Sequence, residues 1–482
     1  MATQRINFGE WLPDQAGIVG SLTDAKNVVS QAVGYGPLPS AALFSQAAAE
    51  NLNALIAGKS PTDGSTKLFA SGNSKIYSVS SVGTLTDVSK SGGYTTTSDN
   101  RFRFTVYGNN VIGTNFSNKL QSFVMGTSTL FGDLSASAPI AKYITVVRDF
   151  VVCAYTNESS VNYPYRVRWS ALANETDWTE DVNTQADYQD IPDGGHITGI
   201  RGGEFGLVFL EKAIHRMTYV GTPFIFQFDN ISRGKGCIAG GSIAQVMGLS
   251  FFLAEDGFYM CDGQTIKAIG DEKVDRYFFT DADETDFANM SAAADSIRKL
   301  VMWNYKATDA TRKLIIYNYA TGKWTYGEAG SDFISDASTA SVSLESLDSI
   351  SASIDALPVS LDSVLYIGGK YFLGGTLATR VITYNGSSLT GLIATGDIDT
   401  GMNSMVNLAR PQVDGGSATV AVASRTRLDE TVTYSTALAA TTENRVPLRS
   451  RGRYHRFQVV PTGANWKTAV GIDVDIVGGG SR

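Results

Sequence analysis

Between Lys67 and Gly386, apolar and polar positions alternate in one recurring phrase: a short aromatic-rich apolar run, a polar turn, and a second apolar run. Lys67-Leu68-Phe69-Ala70 is answered by Lys75-Ile76-Tyr77-Ser78-Val79, and Leu207-Val208-Phe209-Leu210 by His215-Arg216-Met217-Thr218-Tyr219-Val220. Ser250-Phe251-Phe252-Leu253 pairs in the same way with Gly257-Phe258-Tyr259-Met260, and Lys313-Leu314-Ile315-Ile316-Tyr317-Asn318 with Gly322-Lys323-Trp324. Aromatic and β-branched side chains suit the pleated surface of a sheet. Gly, Asn and Asp between the runs supply the backbone that tight hairpins need. Short strands at near-regular spacing over this length predict an all-β chain built around a β-propeller of about six or seven blades, from about residue 36 to about residue 390. Such a propeller is a scaffold for holding other molecules.

The flanks read differently. Residues 1–35 form an extended N-terminal arm: Trp11-Leu12-Pro13-Asp14 opens it, and residues 21–29 read as a strand or short turn leading into Gly34-Tyr35-Gly36-Pro37. Residues 40–56, rich in Ala and Leu with no Gly or Pro, are the clear helical candidate. Residues 328–363 read as an exposed acidic insertion in a late blade. From Trp324 to Gly369 the chain carries Glu328, Asp332, Asp336, Glu345, Asp348, Asp355 and Asp362 with no Lys or Arg. Leu347-Asp348-Ser349, Ile354-Asp355-Ala356 and Leu361-Asp362-Ser363 recur there at heptad spacing, and Pro358 would end a helix. Residues 391–482 carry longer strands, at 418–424, 453–460 and 470–477. The alternation in Tyr454-His455-Arg456-Phe457-Gln458-Val459 and in Ile472-Asp473-Val474-Asp475-Ile476 turns one apolar face inward. A separate C-terminal β-sandwich or jelly-roll domain is expected.

Composition narrows the classes. A chain of 482 residues exceeds one simple core and should divide into two or three domains. With 43% hydrophobic and 18% charged residues, a sizeable core is available and general disorder is not expected. Gly at 49 against Pro at 12 suits hairpins rather than linkers. The 39 basic and 47 acidic residues give a net charge of −8, so an overall basic nucleic-acid footprint is absent. Cys153, Cys237 and Cys261 lie far apart in or beside apolar runs, without metal-ligand spacing, and read as buried free thiols. Their odd number argues against a secreted disulfide framework. No apolar stretch follows Met1-Ala2-Thr3-Gln4-Arg5, and no segment approaches the ~20 apolar residues of a membrane span, so a soluble chain with no membrane segment is expected.

Candidate chemistry is sparse. His196 follows Asp193-Gly194-Gly195 at a turn, while His215 and His455 fall within predicted strands, and no paired spacing suggests zinc. Gly240-Gly241-Ser242-Ile243-Ala244 lacks the last glycine of a nucleophile elbow, and Gly234-Lys235-Gly236 lacks the rest of a phosphate loop. Counted from Asp281 as a calcium loop, the glycine position holds Asp286 and the terminal glutamate position holds Ala292, so a solvated helix start is the better reading. Asp473 and Asp475 share a strand face and read as its solvent side rather than as a catalytic pair. Trp169, Trp178, Trp303 and Trp324 are either sugar platforms or packing between blades, and the latter is expected. No catalytic, cofactor or metal residue is assigned, and a non-enzymatic protein is expected.

Four stretches together resemble the tail hub, or nozzle, proteins of short-tailed bacteriophages. They are the arm Trp11-Leu12-Pro13-Asp14 with Ala25-Lys26-Asn27-Val28 and Gly34-Tyr35-Gly36-Pro37; Arg166-Val167-Arg168-Trp169-Ser170 with Asp177-Trp178; the run from Val208-Phe209-Leu210-Glu211 through Met217-Thr218-Tyr219-Val220-Gly221, Asp256-Gly257-Phe258-Tyr259 and Ile269-Gly270-Asp271-Glu272-Lys273-Val274-Asp275; and Gly452-Arg453-Tyr454-His455-Arg456 with Gly471-Ile472-Asp473-Val474-Asp475. The order of these phrases carries more weight than any one of them. The resemblance implies a structural virion protein of the tail, made in the host cytoplasm. It implies a homohexameric ring below portal and adaptor proteins, with a tail needle, plug or fibre or spike proteins below it. Double-stranded DNA would pass through the channel without tight binding, which an acidic balance suits. The competing classes are a carbohydrate-active propeller enzyme resembling a phage depolymerase, and a monomeric propeller interaction scaffold. Native mass separates them, since a ring requires a hexamer.

Overall fold

The computed structural model describes residues 2–15, 17, 20–341, 353, 369, 371–463 and 465–478. Six antiparallel four-stranded sheets stand as separate blades: residues 54–87, 103–133, 140–190, 197–233, 244–268, and 333–383 with Ala42–Leu43 as its outer strand. A further four-stranded unit, residues 291–328, takes the ring position between the fifth and sixth of these, and it is one end of a 14-stranded sheet. The first strand of each unit lies innermost and packs on the first strand of the next, from Ala54–Lys59 round to Phe333–Ser338, which returns to Ala54–Lys59. Between Ile197–Arg201 and Ala244–Val246 the short 3₁₀ turn Gly240–Ser242 completes the contact. The propeller expected from the strand phrases is therefore present.

The predicted helix at 40–56 is not. Ala42–Leu43 instead pairs with Arg380–Thr383, so a strand from before the first blade closes the last one. The backbone donors that a helix would use internally point outward. Phe44 N and Ser45 N bond to the Val381 carbonyl, Ala48 N to Thr379, and Leu52 N to Ala378. Satisfying these groups across the ring outcompetes the high helix propensity of the Ala residues. The stretch assigned to an acidic insertion also begins differently: Phe333–Ser338 is the innermost strand of a blade. The heptad-spaced phrases from Leu347 to Ser363 lie outside the described residues.

The C-terminal strands do not pair as a sandwich of two separate sheets. Ile398–Asp414 pairs with Thr468–Gly478 on one edge and with Val446–Thr462 on the other. Val446–Thr462 then exchanges partners along its length, meeting Ser417–Arg425 and Leu392–Thr395. Leu22–Lys26 lies between Leu392–Thr395 and the outer propeller strand Lys323–Glu328, which makes the sheet continuous from propeller to C-terminus. Ala2–Asn7 adds to Thr468–Gly478. The predicted alternation holds, with Phe457, Val459, Ile472 and Val474 buried. One apolar cluster runs from Phe8 and Trp11 through Phe258, Trp303 and Trp324 to Phe457 and Ile472.

At the entry to the α-helix Asp275–Asp281, one carboxylate is buried with no cation paired to it among the described residues. Asp275 accepts from Phe258 N at 3.2 Å and lies so close to Gly257 and Gly270 that a Cβ on either would fall about 2 Å from its oxygens. Burial pushes its carboxyl up to about 7, the Phe258 N–H opposes this, and Asp14, Asp271 and Asp256 add to the rise. A folded pKa above the unfolded one means that the unfolded chain ionises first, so this group lowers stability as pH rises from about 4 to about 7, after which the loss is constant. Asp275→Asn, which keeps an acceptor for Phe258, should stabilise the protein at pH 8 by on the order of 3 kcal/mol and leave it almost unchanged near pH 4. Melting temperatures of both proteins across that range check this; equal curves would contradict it.

Candidate functional site

The innermost strands enclose a chamber of about 540 Å³ on the propeller axis. Its wall takes residues from every ring position, including Ala54, Ala57, Ala244, Ala292 and Ala294. Into this space come the charged side chains Arg101, Arg103, Arg201 and Asp336. Arg101, 6% exposed, precedes the strand Arg103–Tyr107 and donates to the Asn289 and Met290 carbonyls at 3.3 and 2.8 Å. Its guanidinium lies 5.1 Å from the Phe333 ring centre. Arg103 stacks over Tyr143 at 4.7 Å and donates to the Arg101 and Lys142 carbonyls. Arg201, closing the strand Ile197–Arg201, donates to Ile200 and Ile243 carbonyls. Burial pushes all three guanidinium groups down, Arg101 to about 9, which still leaves them charged at neutral pH. Asp336 lines the chamber from Phe333–Ser338; enclosure by the walls raises its carboxyl, and its own backbone N–H and Arg201 partly offset that rise. The arrangement suits recognition of an anion.

The residues singled out from sequence are dispersed. His196 is exposed beside Glu211 at 3.8 Å, His215 is buried against Asn230, and His455 is buried between Ser404 at 2.8 Å and Ser424 at 2.7 Å. Burial holds His215 and His455 below the usual imidazole range. Cys153, Cys237 and Cys261 are buried free thiols, each pushed up by burial. Asp473 is held by Arg5 at 2.8 Å and Gln412 at 2.9 Å; Asp475 is held by Thr3 and Arg410. Asp283 caps a 3₁₀ turn through Thr285 N, Asp281 binds Lys313, and Asp286 binds Arg312. Lys235 pairs with Asp256, and Ser242 Oγ accepts from Leu253 N inside the core. Trp169, Trp178, Trp303 and Trp324 are all buried and cannot serve as exposed sugar platforms. Among the described residues, no group of three or more His, Cys, Asp or Glu side chains could hold a metal ion.

Sequence reasoning missed the chamber, because its arginines come from different phrases. One signal was present: Arg101 and Arg103 stand two apart at the start of a strand, and positions two apart share a face. A second basic feature was also missed. Arg449, Arg451 and Arg453 lie exposed at alternate positions of Val446–Thr462.

The fold defines the chain as a β-propeller protein. No protein-family model matches it, and no curated protein does. Solved structures similar to it include the WD40 domain of Neurospora crassa Pan2, at 7% identity and TM-score 0.37 over 70% of this chain and 90% of that one. The WD40 domain of Toxoplasma gondii coronin is similar at 8% identity and TM-score 0.38, over 72% of this chain and 87% of that one. At that level of superposition, neither likeness speaks to ligand or partner.

Proposed function

We propose that this chain is a structural subunit of a phage virion, the tail hub or nozzle of a short-tailed particle. Six copies form a ring that continues the DNA exit channel below portal and adaptor and docks a plug, needle or fibres. Supporting the reading is the resemblance of the arm and C-terminal phrases, two of which are built into the body of the protein. Trp11 of the arm stacks on Tyr326 at 5.0 Å, and Asp473 near the C-terminus holds Arg5 of the first strand. The observation that carries the proposal is the continuous sheet joining propeller to C-terminal strands. It makes a stiff two-part body that still exposes large apolar side chains, Met402 at 57%, Leu428 at 58% and Leu438 at 41%, along its C-terminal part. Exposed apolar side chains suit contacts with neighbouring subunits. An acidic excess keeps phosphate from adhering as the duplex passes. Native mass spectrometry of the purified full chain should give a hexamer, and images of the assembly a six-fold ring. A monomer at micromolar concentration would overturn the ring.

A further inference from the structure

Several arginines elsewhere in this protein face carboxylates, although Arg216 and Arg380 meet backbone carbonyls. Arg166 is held by Asp190 and Glu158, Arg312 by Asp286, and Arg425 and Arg456 by Asp397. Arg101, Arg103 and Arg201 depart from this pattern: among the described residues, the partners of their guanidinium groups are backbone carbonyls. A guanidinium carries five N–H donors, and these carbonyls occupy only part of each set. Three arginines against the single carboxylate of Asp336 leave the chamber with a surplus of two positive charges, in a protein whose net charge is −8. Enclosed charge without a counter-charge is unfavourable, and the usual remedy is an ion pair with hydrogen bonds to the remaining donors. Among the described residues, no carboxylate is hydrogen-bonded to these three guanidinium groups, and Asp336 is the one carboxylate in the wall.

The chemistry of the missing partner follows from that of the wall. Guanidinium forks match the oxygens of phosphate in pairs, and a surplus of two charges favours a multivalent anion over a monovalent one. Thr105, Thr145 and Ser338 add neutral hydroxyls around the same space. A chamber of about 540 Å³ falls within the usual range for small-molecule sites and is far too small for a nucleic-acid duplex. We propose that the axial chamber binds a small, multiply charged phosphate compound, with Arg103 and Arg201 gripping the phosphoryl oxygens and Arg101 fixing the wall behind them. This site is independent of whether the chain forms a ring.

Inorganic pyrophosphate is the probe, titrated into the full chain by calorimetry at low ionic strength, where electrostatics are least screened. Wild-type protein should bind it with a measurable heat and melt at higher temperature in its presence. The double variant Arg103→Met/Arg201→Met should bind at least about tenfold more weakly, since each lost charge-assisted contact is worth roughly that factor or more. Without ligand, the variant should melt no lower than wild type, because it removes two uncompensated charges. Should that variant fail to fold, Arg103→Lys keeps the charge and loses the fork, and its affinity should also fall. No heat and no melting shift with wild type at millimolar pyrophosphate would overturn the proposal, as would unchanged affinity in the variant that folds. A short DNA duplex should not displace pyrophosphate; displacement would assign the phosphate site to the outer surface and sink the chamber.

Discussion

Truncating Trp324 to alanine should lower the unfolding free energy by about 3–5 kcal/mol, one of the largest losses expected from a single side chain here. The indole is fully buried on Lys323–Glu328, the outer strand of its blade. It stacks on Trp303 of the same blade at 5.7 Å with 22° between the planes, and it meets Tyr317 at 4.8 Å. Across the blade boundary it contacts Phe258 at 5.2 Å, and its Nε1–H donates to the Ile269 carbonyl at 3.0 Å. Truncation therefore opens a cavity where two blades and the C-terminal core meet, and it leaves a buried carbonyl without its donor. Trp324→Phe should recover most of the packing and lose the hydrogen bond, at a cost nearer 1–2 kcal/mol. Chemical denaturation of the three proteins at one pH measures both steps. An unchanged midpoint for Trp324→Ala would remove Trp324 from the inter-blade core.

That indole was placed between blades from its sequence position alone, and the reason shows what the sequence could carry. Within a blade, strand and turn are neighbours in the chain, so runs such as Ser250-Phe251-Phe252-Leu253 and Gly257-Phe258-Tyr259-Met260 announce both the hairpin and the buried face. Long-range pairing leaves no such local trace. The closing strand Ala42–Leu43 is only two residues long, and its partner lies more than three hundred positions away, so an Ala- and Leu-rich stretch passed for a helix. Alternation in residues 454–459 and 472–476 marked one apolar face correctly but could not name what covers it, and one sheet shared with the propeller was read as a separate sandwich. Charge misled in a different way. Asp336 belongs to a run without Lys or Arg and is exposed, as expected, but its strand lines the axis and Arg201 faces it from a distant blade. The chamber was illegible for the same reason, since only closure of the ring brings Arg101, Arg103 and Arg201 together.

Replacing Asp397 by alanine should cost about 3–5 kcal/mol, the range for removing one member of a buried ion pair. Asp397 lies between Leu392–Thr395 and Ile398–Asp414, and it receives Arg456 at 2.9 and 2.7 Å as well as Arg425. Arg425 ends one strand and Arg456 sits within another, so this carboxylate ties three strands of the C-terminal sheet together. Arg425 also donates to the Leu428 and Glu430 carbonyls, so the loop that follows depends on the same anchor. Burial alone would raise the Asp397 carboxyl, but the hydrogen bonds and charges of Arg456 and Arg425 outweigh it and hold the group below the usual carboxylate range. A depressed folded pKa contributes stability that is complete above the unfolded value near 4 and is lost as pH falls through the folded value. Denaturation midpoints of wild type should thus decline on the acid side, and Asp397→Asn, with no charge to lose, should decline less steeply below about pH 4. Parallel acid limbs for the two proteins would contradict the assignment. The same protein that closes Arg425 and Arg456 around one carboxylate sets Arg101, Arg103 and Arg201 around a chamber whose one described carboxylate is Asp336. Deleting Asp397 creates, within the sheet, the uncompensated charge that the axis already carries. Loss of stability on making that arrangement, set beside gain of stability when pyrophosphate neutralises the other, would measure one electrostatic debt from its two sides.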